Sequence, residues 1–194
     1  MKNRVITISR EFGSGGRTIG KEVAAMLNIP CYDDELIREV AEKSGLAEQY
    51  IREYGEYSHS TSWIGSALTA RDYNGHSIQD ELWNVQRNVI LDLAKKEPCV
   101  IVGRCADYIL RDVADCLAVF IHASFEKRAE RIVRVYGERA ESPEKRLTDK
   151  DKRRRAYYQF YTDKEWGKAQ NYHIALDSGV LGIDKCVKLI AEQF

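Results

Sequence analysis

Val5-Ile6-Thr7-Ile8-Ser9-Arg10-Glu11-Phe12-Gly13-Ser14-Gly15-Gly16-Arg17-Thr18-Ile19-Gly20 sets the architecture of this 194-residue chain. An apolar run leads straight into a glycine-rich turn, then a basic residue, a threonine and an amphipathic helix. A phosphate cradle needs that order. Small residues let several backbone N–H groups converge on an oxyanion, and the new helix adds its positive end. On this reading Gly13, Ser14, Gly15 and Gly16 form the cradle, Arg17 reaches terminal phosphates, and the Thr18 hydroxyl faces a magnesium ion.

The match to G-x-x-x-x-G-K-[ST] is imperfect. Setting Gly16-Arg17-Thr18 on G-K-[ST] puts Glu11 where the first glycine belongs and Arg17 where the lysine belongs. Arginine keeps the charge and adds a planar fork able to grip two phosphate oxygens. A carboxylate at Glu11 is repelled by phosphates unless it points away or pairs with Arg10 or Arg17. The plainer alternative is that the glycines only make a tight strand-to-helix connection.

Beyond the cradle, Ile19, Val23, Met26 and Leu27 share the spacing of a helix packed on a sheet. Asn28 and Pro30 close it. Cys31-Tyr32 is a short extended piece, and Asp33 or Asp34 can cap a helix carrying Leu36, Ile37, Val40 and Ala41. Residues 46–76 are irregular and tyrosine-rich. They read either as a mobile excursion closing on a substrate or as a helical hairpin packed on the domain or on a second copy of the chain. Order returns with Ile78, Leu82, Val85, Val89 and Leu93, a long helical stripe ended by Glu97-Pro98. Cys99 to Val102 and Leu117 to Ile121 are continuous apolar runs short enough for strands buried on both faces. A last strand, Tyr172 to Leu176, precedes a terminal helix with Ile183, Val187, Ile190 and Phe194 on one face. Apolar runs alternating with amphipathic helices predict an α/β domain with a mostly parallel sheet. Ligands of such sheets bind at the carboxyl ends of strands, where the cradle, Asp33, Asp34, Gly103-Arg104, His122 and Asp177 fall.

Composition narrows the function. Lys+Arg and Asp+Glu balance at 30 each, so no global field favours nucleic acid or an anionic membrane. No apolar stretch approaches the ~18 residues of a membrane span. Met1-Lys2-Asn3-Arg4 leads directly into a strand, without an apolar leader. Five scattered cysteines lack a C-x-x-C pair and read as reduced thiols of a cytoplasmic protein. Four dispersed histidines give a zinc site little support.

Two basic helices follow the second buried run. Arg128, Arg131 and Arg134 recur every three residues after Ser124, and Gly137 marks a stop. Ser142-Pro143-Glu144 then opens a helix in favoured cap order. It carries Lys145, Arg146, Lys150, Lys152, Arg153, Arg154 and Arg155, broken by Asp149 and Asp151. These charges lace a solvated helix pair together, or they arm a lid that closes over a polyphosphate. For a lid, roughly two or three of them face the site and the rest keep the helices in solution.

Six local pieces together resemble the cytidylate-kinase-like family of nucleoside monophosphate kinases: Ile8 through Gly16, Tyr32-Asp33-Asp34, Val102-Gly103-Arg104, Ala123-Ser124-x-x-x-Arg128, Asp151-x-x-Arg154-x-x-Tyr157-Tyr158, and Trp166-Gly167 with Asn171-Tyr172. The resemblance covers essentially the whole chain. It implies a three-layer P-loop kinase fold, a five-stranded parallel sheet flanked by helices plus a helical lid. It implies one domain over 1–194, with an acceptor-binding helical excursion at 33–95 and a basic lid at roughly 128–165. MgATP is the implied donor and a nucleoside monophosphate, cytidylate-like, the implied acceptor. Gly13 to Thr18 then hold the donor phosphates, Thr18 also holds Mg2+, and Arg104 clamps the acceptor phosphate beside Asp33 or Asp34. Arg131 and Arg154 are the lid's contacts, and with Arg17 they are the catalytic cations. The chain departs from cytidylate kinase proper at Arg17, where a lysine is usual.

In-line phosphoryl transfer needs positioning and charge neutralisation more than covalent chemistry. An acceptor that is already a phosphate needs no strong base, which suits a chain without an obvious His or Cys dyad. Two other functions fit the same residues. One is a kinase of a non-nucleotide metabolite, differing in 46–76. The other is a nucleotide-binding regulatory protein in which Glu11 and Arg17 mark lost catalysis.

Overall fold

The computed structural model describes residues 4–33 and 78–194, together with Leu36, Glu39, Glu42 and Lys43. The expectations for Asp34, for Ile37, Val40 and Ala41, and for 46–76 lie outside the described residues.

Strand β1, Arg4–Arg10, runs through the middle of the sheet, buried on both faces, one apolar and the other carrying Val5 with the small polar Thr7 and Ser9. Val5, Ile6 and Ile8 are wholly buried. It pairs in parallel with β3, Cys99–Val102, on one side and with β4, Asp115–His122, on the other. β2, Cys31–Tyr32, and β5, Ile174–Asp177, form the edges. The order β2-β3-β1-β4-β5 makes β1 the point where the chain switches direction across the sheet, and the loop after such a strand opens into a crevice.

Side chains alternate across each strand, so the sheet builds two separate cores. Ile6, Ile8, Val100, Val102, Val119 and Ile121 face helices α1, Gly16–Leu27, and Ile183–Ala191 near the C-terminus. Val5, Cys99 and Ile101 face α2, Ile78–Lys96, and the short α3, Ala106–Leu110. The stripe expected along α2 holds where side chains are described, with Val89 and Leu93 in this second core. Past β4 come α4, Phe125–Tyr136, and α5, Pro143–Thr162. Tyr157 and Tyr158 of α5 join Phe120, Trp166 and Tyr172 in an aromatic cluster that seats this helix on the sheet. After β5, a single turn at Ser178–Leu181, α6, leads to the C-terminal helix α7, Ile183–Ala191.

Local chemistry sets the boundaries. Ser124 and Ser142 cap α4 and α5 by accepting from the N–H groups of Lys127 and Lys145, Pro143 opens α5, and Gly137 ends α4 with a positive φ of 73°. Two details differ from the sequence expectation. Met26 is 55% exposed although it lies only about 20° round the helix from wholly buried Ile19, and nothing in the packing explains the difference. The last strand begins at Ile174 rather than Tyr172. Tyr172 is drawn into the aromatic cluster, and the ladder at Ala118 is completed by a side chain, the Ala118 N–H donating to His173 Nδ1 at 3.0 Å. All five cysteines are free. Among the described residues no helix is long and apolar enough to cross a membrane.

Candidate active site

Glu11 to Gly15 carry the chain from the end of β1 into α1. Gly13 and Gly15 adopt left-handed conformations, φ 82° and 84°, which side chains other than glycine rarely tolerate. Gly15 is the N-cap of α1 and no side chain caps it, so the first N–H groups of a 12-residue helix open towards the crevice. Gly16 is already helical. The glycine that the turn requires is therefore Gly15, one residue before the one chosen by the sequence match. Ser14 is buried and its hydroxyl donates to the Glu11 carbonyl at 2.9 Å, which locks the turn. Ser178 Oγ, from the first turn of α6, lies 2.5 Å from the Ser14 carbonyl and ties the loop to the far side of the sheet.

Glu11 does not face the crevice. Its carboxylate accepts from the Ala123 N–H at 3.2 Å and pairs with Arg128 Nε at 3.3 Å. The repulsion expected at this position is thus avoided by a partner that is neither Arg10 nor Arg17. Burial raises the Glu11 pKa above the ordinary range, with Arg128 opposing that shift. Arg128 itself is buried and also meets Asp151 Oδ2 at 2.5 Å and the Phe12 carbonyl at 3.1 Å. Asp151 accepts in turn from the Phe12 N–H at 2.7 Å. One arginine and two acids therefore latch α4 and α5 onto the loop after β1. Arg154 is buried beside them and donates to the Arg10 carbonyl at 3.1 Å.

The other expected residues gather around this loop. Arg131 Nη2 donates to Thr18 Oγ1 at 3.0 Å, and its guanidinium lies across Gly15. Arg17 Nε pairs with Asp33 Oδ2 at 2.5 Å, joining the first turn of α1 to the end of β2. Arg104 follows β3 in a left-handed conformation, φ 62°, and is buried, its carbonyl accepting from Gln86 Nε2 at 3.2 Å.

Two hollows flank the loop. On the side of β4 and β5, a cavity of about 490 Å³ is lined by Gly13, Ser14, Lys127, Arg131, Arg134 and Ile183, among others. On the side of β3, a hollow of about 20 Å³ is lined by Ser9, Arg10, Gly103, Arg104 and Arg154 with Cys105, Tyr157, Tyr158 and Trp166. Beneath it, Asp107 accepts from Tyr158 at 2.7 Å and from Ser9 at 3.3 Å. Burial raises the Asp107 pKa, and the two hydroxyl donors oppose that shift. Asp107 and the latch acid Asp151 carried no functional reading in the sequence. Asp151 appeared only as a break in the basic run and as the first residue of the Asp151-x-x-Arg154-x-x-Tyr157-Tyr158 piece, without a role, and Asp107 only as an acid three residues after Arg104.

A parallel sheet of this order, with a glycine cradle after its central strand, defines a P-loop kinase fold. The shikimate kinase of Acinetobacter baumannii in complex with shikimate superposes with a TM-score of 0.55 at 16% identity, covering 100% of this chain and 93% of that one. An uncharacterized protein from Eubacterium ventriosum superposes at 0.74, with 27% identity over 98% of both chains. The chain belongs to the cytidylate kinase-like family, whose sequence profile matches residues 5–180. Cytidylate kinases of Pyrobaculum islandicum and Pyrobaculum calidifontis are 25% and 23% identical to it, each over 95% of this chain and 89% of theirs.

Proposed function

We propose that this kinase transfers the γ-phosphoryl group of MgATP to a nucleoside monophosphate, with a cytidylate-like acceptor. The observation that carries the proposal is the uncapped start of α1 set between a nucleotide-sized cavity and a small hollow lined by three arginines. A cavity of about 490 Å³ falls within the usual range for a small-molecule site. The cradle of Gly13 to Gly16 would bind the donor phosphates through backbone N–H groups, and Arg131 and Arg134 would flank the nucleoside. Arg104 and Arg154 would bind the acceptor phosphate. Arg17 would contact phosphate from the first turn of α1, with Asp33 orienting its guanidinium.

Magnesium supplies charge neutralisation to such a transfer. Among the described residues, no group of three or more His, Cys, Asp and Glu could hold it alone. The Thr18 hydroxyl is a hard oxygen donor, suited to an ion that keeps mostly phosphate and water oxygens. Arg131 already orients that hydroxyl.

Transfer would proceed as an acceptor phosphate oxygen bonds to the γ-phosphorus while the bond to the β–γ bridging oxygen breaks and ADP leaves. No proton need be removed from a phosphate dianion. The excursion at 33–95 would carry the acceptor pocket, and α4 with α5 would form the lid over 128–165. A coupled assay across CMP, dCMP, UMP, AMP and GMP tests this. Turnover strongest with a cytidine monophosphate is expected. Turnover on none of them, with ATP bound, would overturn it. A second reading, a non-nucleotide acceptor, draws on the fold shared with shikimate kinase and with the gluconokinase of Sinorhizobium meliloti, TM-score 0.52. Shikimate and gluconate belong in the same panel.

A further inference from the structure

We propose that Arg10 performs the task that the lysine of G-x-x-x-x-G-K-[ST] performs, delivering its cation to the transferring phosphoryl group from the strand instead of the helix. The inference deepens the kinase reading and rests on it. Its starting point is the left-handed turn at Gly15, the glycine that must precede the helix. With Gly15 as the second glycine of the motif, the lysine's place falls on Gly16, the hydroxyl's on Arg17 and the first glycine's on Arg10. Glycine and cation have exchanged ends of the motif.

Sterics explain the exchange. A Cβ built at Gly16 would run into Arg10 Cβ and stand 3.0 Å from Arg10 Cγ. Positions 10 and 16 therefore compete for one volume, and only one of them can bear a side chain. With glycine at 10, residue 16 is free to be a lysine; with arginine at 10, residue 16 must be glycine. The guanidinium then extends across the mouth of the loop to Gly103. A Cβ there would overlap Arg10 Nη1 and lie 2.8 Å from Arg10 Cζ. Gly103 is left-handed as well, φ 78°, so the β3 loop leaves a channel for this one side chain.

The channel ends in the right place. Arg10 lines the small hollow with Arg104 and Arg154, between the start of α1 and the loop after β3, and among the described residues no carboxylate lines that hollow. Arg154 holds the Arg10 carbonyl, fixing the backbone from which the side chain departs. A guanidinium between the donor cradle and the acceptor arginines can touch oxygens of the group in flight. As the bond to the acceptor oxygen forms and the bond to the β–γ bridging oxygen breaks, Arg10 meets the charge spread over the equatorial oxygens.

The test uses the full chain and four proteins: wild type, Arg10→Lys, Arg10→Gly, and Arg10→Gly with Gly16→Lys. Melting temperatures check that each is folded. Arg10→Gly should lower kcat by about 10²-fold or more, with a smaller change in the acceptor KM. It should also lose at least about tenfold in affinity for ATP relative to ADP, because the contact is to the terminal phosphate. Arg10→Lys should keep part of the activity. The double variant restores the ordinary motif and should recover at least about tenfold over Arg10→Gly. Folded Arg10→Gly with wild-type kcat and wild-type preference for ATP would overturn the inference, as would a folded double variant no better than the single one. If wild type turns over no monophosphate, the acceptor reading fails, and the ATP-to-ADP affinity ratio still decides the role of Arg10.

Discussion

The two hollows beside the cradle differ in size and in charge, and each difference bears on one half of the proposed transfer. The larger, about 490 Å³, mixes Lys127, Arg131 and Arg134 with Glu130 and leaves room for a whole nucleoside. The smaller, about 20 Å³, is lined by three arginines and, among the described residues, by no acid. A roomy, mixed-charge cavity selects by shape. A tight cationic one selects for a small anion, and it becomes useful only when something holds its like charges together. Of the latch, Asp151 reaches one of them, its Oδ1 lying 3.8 Å from Arg154 Nη1, while its other oxygen and Glu11 hold Arg128.

The comparison can be broken most violently at that latch. Asp151→Ala removes the acid that Arg128 and the Phe12 N–H share and leaves a buried guanidinium short of a partner. Losses of this kind cost about 3–5 kcal/mol. Denaturant unfolding should show that loss, and both substrates should bind more weakly, since both hollows depend on the loop. A stable Asp151→Ala protein with native affinities would show that the latch does not organise the site.

Arg104→Ala should strike the small hollow alone. A charged hydrogen bond to the acceptor phosphate is worth about 1.5–3 kcal/mol, so the acceptor KM should rise roughly tenfold to 10²-fold while ATP affinity stays near wild type. Equal losses for donor and acceptor would erase the distinction between the hollows. Arg131→Ala makes the converse cut. It removes the guanidinium across Gly15 and the hydrogen bond to Thr18, and ATP affinity should fall about tenfold with little change in acceptor KM. Isothermal titration with ADP and ATP measures this directly.

The smallest effect concerns the floor of the small hollow. Burial holds the Asp107 carboxyl above its ordinary pKa, so the native state binds that proton more tightly than the unfolded chain does. Its contribution is therefore most favourable below about pH 4, the unfolded value, and declines as pH rises through the raised native value. Asp107→Asn, which keeps an acceptor for Tyr158 or Ser9, should remove that decline. The melting temperature of the variant relative to wild type should climb from acid towards neutral pH. Parallel curves would mean that Asp107 is not destabilised by its burial.

Much of the fold was legible because it rests on local rules. Unbroken apolar runs at 99–102 and 117–121 announced strands covered on both faces, and Ser124, Ser142-Pro143 and Gly137 announced helix ends. Arg128 was harder. Its period-three spacing with Arg131 and Arg134 did not say which of them faces the site, and Arg128 points into the latch, Arg131 onto the cradle and Arg134 into the large cavity. At 100° per residue, a step of three rotates each side chain by about 60° from the last, enough to give neighbours different partners.

By itself, the chain determined a parallel α/β sheet, a glycine cradle after its first strand and two capped basic helices, since periodicity, capping and apolar runs act over a few residues. Only the tertiary structure decided which acid neutralises which arginine and which glycine turns the cradle. Glu11 finds its partners at Ala123 and Arg128, Phe12 at Asp151, and Arg10 its channel at Gly103, all distant in sequence. Charge pairing and steric exclusion depend on distances through space, and those exist only once the sheet has brought the strand ends together.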